Sequence, residues 1–266
     1  MPSPRNEPWA PNPRQKNLLD EVRARGAVSV ERLAQRLDVT MQTVRRDIQR
    51  LTEAGLLDRF NGGVSLPPPS SPRATPAVAW RERQALKADA KARIARSVAA
   101  AVPDGARLML GIGTTVEAIA QALGSKKGLH VITHSLHVAQ ALVNHPDCKV
   151  EVPAGLMRTR DSALEGADTV ACLRDKKADI AIVSALGVDG EGQLLDRDGR
   201  ESPVVATMLA QARECWLVVD ASKFSETHPT AWGHLRQVNR VFTEALPPAP
   251  MPALMQSLSI GLTIAS

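Results

Sequence analysis

From Arg107 to Thr243 the chain alternates short apolar runs with amphipathic stretches of helical length, and nothing else in it narrows the fold so far. The runs are RLMLGI, LHVIT, ADIAIVSA, CWLVVD and VNRVFT; TTVEAIAQAL, SLHVAQALV and PVVATMLAQARE lie between them. Short apolar runs linked by helices predict parallel strands buried on both faces, hence an α/β domain with helices on either side of the sheet. In front of it, ERQALKADAKARIARSVAAAV reads as one helix. Its Leu86, Ala90, Ile94, Val98 and Ala101 share a face that packs on the sheet or on a neighbouring subunit.

A seam precedes this body. Residues 67–76, PPPSSPRATP, are half proline and cannot sit inside a packed element. They predict a linker between a small domain, 14–66, and a larger one, 77–266. Residues 1–13, MPSPRNEPWAPNP, read as a disordered tail, without the apolar stretch of a signal peptide.

The small domain opens with RQKNLLDEVRARG, where Leu18, Leu19 and Val22 form one apolar face and Gly26 supplies the stop. Ser29 caps the next helix, VERLAQRL. After the tight break DVT, Thr40 caps a third helix that runs to about Ala54 and stops at Gly55. LLDRFNGGVSL then offers two short strands around Asn61-Gly62-Gly63. Helix, helix, turn, helix, hairpin is the order of a winged helix-turn-helix.

On the third helix, Met41, Val44, Ile48 and Leu51 fall together and face the core. Gln42, Thr43, Arg46, Gln49 and Arg50 fall opposite, with Arg45 and Asp47 on the flanks. Amides, a hydroxyl and guanidiniums are what base edges and phosphates accept: Arg pairs with guanine, Gln with adenine. Taken alone, the same helix could be a solvated one in which Asp47 pairs with Arg46 or Arg50. The elements around it favour DNA reading. Arg50 and Arg59, at the edges of the motif, suit backbone phosphates.

Residues 14–64 resemble the head of the DeoR family of bacterial repressors. The pattern of that family is met by Thr40, Thr43, Arg45, Arg46, Asp47 and Ile48. The resemblance implies that Thr43, Arg45 and Arg46 touch DNA and that Asp47 orients an arginine.

In the large domain, LGIGTTVEAIAQAL is a strand, a glycine turn and a helix start. Gly111 and Gly113 let the backbone bend and a ligand approach, while Thr114 and Thr115 open a helix whose N-terminus attracts phosphate. Such turns also occur without a ligand, and the absence of GxGxxG disfavours a dinucleotide. Thr133 and Ser135, Arg160 and Asp161, Asp189, Asp220 and Lys223 stand at expected strand ends, where ligands of α/β sheets gather. Each alone suits a turn or a cap. Together they suit a small polyhydroxy phosphate.

This region is similar to the sugar-phosphate sensor domain of the same family, through GTT, ITHS, GVD and DASKF. The resemblance implies a Rossmann-like α/β fold of the ribose-5-phosphate-isomerase type and a small phosphorylated effector. IGTTVEAIAQAL, GVDGEGQLLDRDGRE and LVVDASKF are most like the members that answer to glycerol-3-phosphate, with other sugar phosphates as the alternative. Three positions depart from the family pattern. Thr133-His134 stands for Thr-Asn, Ala154-Gly155 for Gly-Gly, and Val205 for a lysine; if that lysine holds phosphate, Lys223, Arg160 or Arg200 must substitute or affinity is weaker.

The whole reads as a repressor that binds double-stranded operator DNA as a homodimer or homotetramer. A rival is a sugar-phosphate isomerase with Asp189 as base, but it would lack the lysine lost at Val205 and gain nothing from a DNA-binding head. No catalytic residue, cofactor or metal is expected. The net charge of +5 and pI near 9.4 permit a polyanionic partner. Aromatic residues are only 3%, with no tyrosine, which argues against single-strand stacking. Cys148, Cys172 and Cys215 are too scattered for a disulfide framework or a zinc site. No run of 18 apolar residues occurs, and a reducing cytoplasm is expected.

Overall fold

A computed structural model describes residues 11–25, 27–53, 56–60, 63–65, 76–197, 199 and 202–266. Gly26, Gly55, the Asn61-Gly62 turn, residues 67–75 of the linker and Arg200 lie outside the described residues. The chain divides into two compact units at Thr75/Pro76.

The first unit holds α1 (Pro13–Arg25), β1 (Ala27–Ser29), α2 (Val30–Arg36), α3 (Met41–Glu53), β2 (Asp58–Phe60) and β3 (Gly63–Ser65). Pro13 sits at the first helical position of α1 with Asn12 as its cap: Gln15 N donates to Asn12 Oδ1 at 2.9 Å, and Asn12 N to Gln15 Oε1 at 3.0 Å. Ser29 Oγ accepts from Arg32 N, and Thr40 Oγ1 accepts from Thr43 N, as the sequence predicts for caps. Leu18, Leu19, Val22, Leu33, Val44, Ile48 and Leu51 fill one core. Two expectations need correction. Met41, placed on the core face by its spacing, is 43% exposed, because the first turn of α3 overhangs that core. The wing has three strands, in order β1-β3-β2, because Ala27–Ser29 pairs with Gly63–Ser65.

The second unit runs α4 (Pro76–Ala85), α5 (Ala88–Ala101), β4 (Arg107–Leu110), α6 (Thr114–Ala122), β5 (Leu129–Thr133), α7 (Leu136–Ala141) and β6 (Cys148–Glu151). It continues with β7 (Leu156–Arg158), β8 (Ala163–Glu165), α8 (Ala167–Arg174), β9 (Ala178–Val183), β10 (Gly187–Val188), β11 (Gln193–Asp196) and α9 (Ser202–Gln211). It ends with β12 (Ala212–Val218), β13 (Thr230–His234), β14 (Arg240–Thr243), α10 (Met251–Ser257) and β15 (Gly261–Ile264). Seven parallel strands form one sheet, ordered β15-β14-β12-β9-β4-β5-β6. From β4 the chain first builds outward through β5 and β6, then returns to the other side of β4 with β9. The switch point of the sheet therefore lies between β4 and β9.

Alternation along β4 shows why both faces are covered. Leu108 and Leu110 point into a core with Ile94 and Val98 of α5 and Val116 and Ile119 of α6. Met109 points the other way, into a core with Val204 and Met208 of α9 and Met251 and Met255 of α10. Each such side chain taken fully out of water stabilises the fold by about 1.5–3 kcal/mol.

The helix read across residues 82–102 is two helices. Lys87 adopts a left-handed backbone (φ 56°) and separates α4 from α5, so Leu86 is 58% exposed while Ala90, Ile94 and Val98 are buried. Its apolar face packs against the sheet and α6. The stretch PVVATMLAQARE also divides: α9 ends at Gln211, and Ala212–Glu214 begin β12, where they pair with β9.

Candidate functional site

In the first unit, α3 presents Gln42, Arg45, Arg46, Gln49 and Arg50 as exposed side chains on the side away from the core. Thr43 is half-buried, its hydroxyl 2.9 Å from that of Thr40. Gln49 Nε2 donates to Glu53 Oε1 at 3.0 Å, one turn on. Arg59 belongs to β2.

Asp47 is placed differently from its sequence reading. It is not on a flank but 2% exposed, and it pairs with neither Arg46 nor Arg50. Arg14 grips it with two donors, Nε to Oδ2 at 2.6 Å and Nη2 to Oδ1 at 3.2 Å, and Gln15 Nε2 adds a third bond at 3.0 Å. The carboxylate in turn raises the Arg14 pKa. Asp47 does orient an arginine, but one on α1, and the result is a clamp between α1 and α3. With that carboxylate turned inward, the guanidiniums of Arg45, Arg46 and Arg50 are left to solvent or to a polyanion.

In the second unit a cavity of about 190 Å³ opens beyond the carboxyl ends of β4, β9 and β12, at the switch point of the sheet. Gly113, Thr114 and Thr115 line it after β4, Ser184 after β9, and Asp220, Ser222 and Lys223 after β12. Gly113 has φ +124°, a backbone that side chains rarely adopt, and no side chain caps α6. The first amides of α6 therefore lack an intrahelical acceptor, the arrangement that attracts an anion. Arg160 and Asp161 also line the cavity. Asp161 is buried and held by Arg158 at 2.8 and 3.0 Å, and Arg160 lies 3.8 Å from it.

Four residues expected from the sequence stand apart from the lining. Gly111 lies against β9, its amide bonded to Ile182 O. Thr133 accepts from Ser135 N, and Ser135 caps α7 through Val138 N. Asp189 accepts from the amides of Glu191 and Gln193 and shapes a turn.

Sequence reading missed Trp80 and Arg83 of α4, Lys91 of α5, Asp196 and Arg197 around β11, and Trp232 of β13, all on the cavity wall. The only signal was indirect: basic residues in ERQALKADAKARIARSV that the assumption of one continuous helix left in solvent. Burial lowers the pKa of Lys91, with Lys223 and Arg83 adding to the effect against Asp220. Burial likewise lowers that of Arg83. Lys223 Nζ is 2.9 Å from Glu226. Burial would raise the Glu226 carboxyl, but hydrogen bonds from His228 and Lys223 win and hold it at about 2.

The departures from the family pattern fall in different places. Val205 lines the cavity, so the missing lysine is missing from the site itself. At Ala154-Gly155, the alanine is exposed, whereas a Cβ on Gly155 would come within 1.9 Å of Thr169 Oγ1. Only the second glycine of that pair is sterically required.

Residues 14–69 match the model of the DeoR-like helix-turn-helix domain, and residues 86–245 that of the DeoR C terminal sensor domain. The HTH-type transcriptional repressor CsqR of Escherichia coli (strain K12) is 37% identical over 95% of this chain and 95% of that protein. The Glycerol-3-phosphate regulon repressor of the same organism is 34% identical over 94% of this chain and 98% of that protein. Among solved structures, ribose 5 phosphate isomerase A from Neisseria gonorrhoeae is a distant likeness, at TM-score 0.38 and 17% identity over 50% of this chain and 52% of that one. The families and relatives matched over the full length are regulators, which removes the isomerase reading. With a helix-turn-helix unit at one end and a sensor unit at the other, the chain belongs to the DeoR family of transcriptional repressors.

Proposed function

We propose that residues 14–66 bind double-stranded operator DNA, as part of a homodimer or homotetramer in the cytoplasm, and that residues 77–266 release it when glycerol-3-phosphate fills the cavity. The observation that carries this reading is the charge of the wall. Six basic side chains line it (Arg83, Lys87, Lys91, Arg160, Arg197 and Lys223) against three carboxylates (Asp161, Asp196 and Asp220). An excess of cations over carboxylates on the wall, around an uncapped helix start, suits a phosphate dianion, while carboxylates and Ser184 and Ser222 suit hydroxyls. The 34% identical repressor named for glycerol-3-phosphate supports the choice of effector. Val205 in the wall favours a second reading, another sugar phosphate, since it removes one expected charge.

On the DNA side, Thr40, Gln42, Thr43, Arg45, Arg46, Gln49, Arg50 and Arg59 are the residues we assign to the operator. A dimer would set two copies of α3 in successive major grooves of a pseudo-palindrome. The effector acts only through its different affinity for the bound and free arrangements.

Fluorescence anisotropy on DNA from the gene's own upstream region, at fixed salt, tests both halves. Glycerol-3-phosphate is expected to weaken operator binding, and glycerol or inorganic phosphate to leave it alone. Thr114→Asp puts a carboxylate beside the phosphate position and should abolish the response, so that operator affinity is the same with and without glycerol-3-phosphate. A response only to a different sugar phosphate would support the second reading. Specific binding that ignores every phosphorylated metabolite tested would refute effector control.

A further inference from the structure

The chain enters the second unit at Pro76, the start of α4, directly after the segment that follows the winged helix. A helix leaves its last four carbonyls without intrahelical donors. In α4 the Glu82 carbonyl accepts from Leu86 N at 3.0 Å. The Arg83 carbonyl is held otherwise, by Lys91 Nζ and, at 3.5 Å, by the hydroxyl of Thr114. Both donors line the cavity, and Lys91 is only 7% exposed. The side chain of Arg83 is on the same wall, its guanidinium 5.0 Å from the ring centroid of Trp80.

A second attachment of α4 does not involve those donors. Glu117 of α6 accepts from Trp80 Nε1 at 2.8 Å and from Gln84 Nε2 at 2.7 Å, and Trp80 stacks on His137 with centroids 4.0 Å apart. Thus α4 has one fixed attachment, at Glu117, and one whose donors are the groups an anion in the cavity would recruit.

We propose that occupancy of the cavity is read out by donor exchange at α4: the anionic group takes Lys91 and Thr114 from the Arg83 carbonyl and draws the Arg83 guanidinium inward. An ionised acceptor outcompetes a neutral carbonyl for an ammonium, because charge-assisted pairs are the stronger ones. The exchange also brings an anion to the buried Lys91 and the half-buried Arg83, whose pKa values burial lowers. The last turn of α4 then loses its anchor while Glu117 keeps the helix attached, so α4, where the chain enters the second unit, is held differently with and without effector. This rests on the cavity being the effector site, and it adds the element through which occupancy is transmitted.

The test uses the full chain without any effector. Lys91→Met keeps the apolar stem and removes the ammonium; Gln84→Leu weakens the Glu117 attachment instead. Hydrogen exchange should show faster opening of 76–86 in both variants, with strands β4 and β9 as protected as in the wild type. Operator affinity should fall about fivefold or more, a typical allosteric coupling, without a ligand. If both variants keep wild-type exchange over 76–86 and wild-type operator affinity, the relay is wrong, even where glycerol-3-phosphate weakens wild-type binding. If Lys91→Met weakens operator binding while glycerol-3-phosphate leaves the wild type unmoved, the relay stands and the assigned effector falls.

Discussion

Arg46 sits in the middle of the exposed face of α3, one residue from a carboxylate that is fully engaged elsewhere. An arginine left in this way is available for a bidentate contact to guanine. Arg46→Ala should then cost about 1–3 kcal/mol in operator binding, measured by anisotropy at fixed salt. An unchanged affinity would move the base contact to Gln42, Arg45 or Gln49. The same residue shows how far sequence can go. The spacing of Val44, Ile48 and Leu51 was enough to turn Arg46 outward, because helical periodicity is a local property. The fate of Asp47 was not legible. Its partners, Arg14 and Gln15, are 33 and 32 residues away, and no local rule connects them.

At the scale of elements, the clamp between α1 and α3 fixes the rotation of the helix that faces DNA. Asp47→Ala leaves Gln15 with an unpaired buried amide, while the half-exposed Arg14 can turn to water. The expected loss is on the order of 1–3 kcal/mol, the cost of a buried group left unsatisfied. Hydrogen exchange of the α3 amides would register it, and unchanged protection there would show that the clamp contributes little. Elements with a strong local signal, such as α3, β4 and β9, were legible in advance. Those that depend on a distant partner were not. Ala27–Ser29 becomes a strand only because Gly63–Ser65 comes to lie beside it, and Ala212–Glu214 leaves its helix to extend the pairing with β9. The cavity was read in half for the same reason. Gly113, Thr114, Thr115 and Lys223 stand at strand ends, whereas Arg83 and Lys91 reach the wall only because Lys87 breaks the helix between them.

For the whole molecule, the core around Leu18, Leu33 and Ile48 is separate from the two cores that flank the large sheet. Damage to one should therefore be felt there first. Leu33→Ala, at a fully buried position, should cost about 2–5 kcal/mol in the first unit and abolish operator binding on mild warming. Calorimetric titration with glycerol-3-phosphate should be unaltered, and a parallel loss of both activities would mean that the units fold as one. The stacking of Trp80 on His137 has a practical side as well. The chain has four tryptophans and no tyrosine, and Trp80 and Trp232 both stand on the cavity wall. Near-ultraviolet emission thus comes from indole alone, and two of its sources look directly onto the site. The molecule carries its own optical probe: filling the cavity alters the surroundings of those two rings, and the light they emit can be followed without attaching a dye.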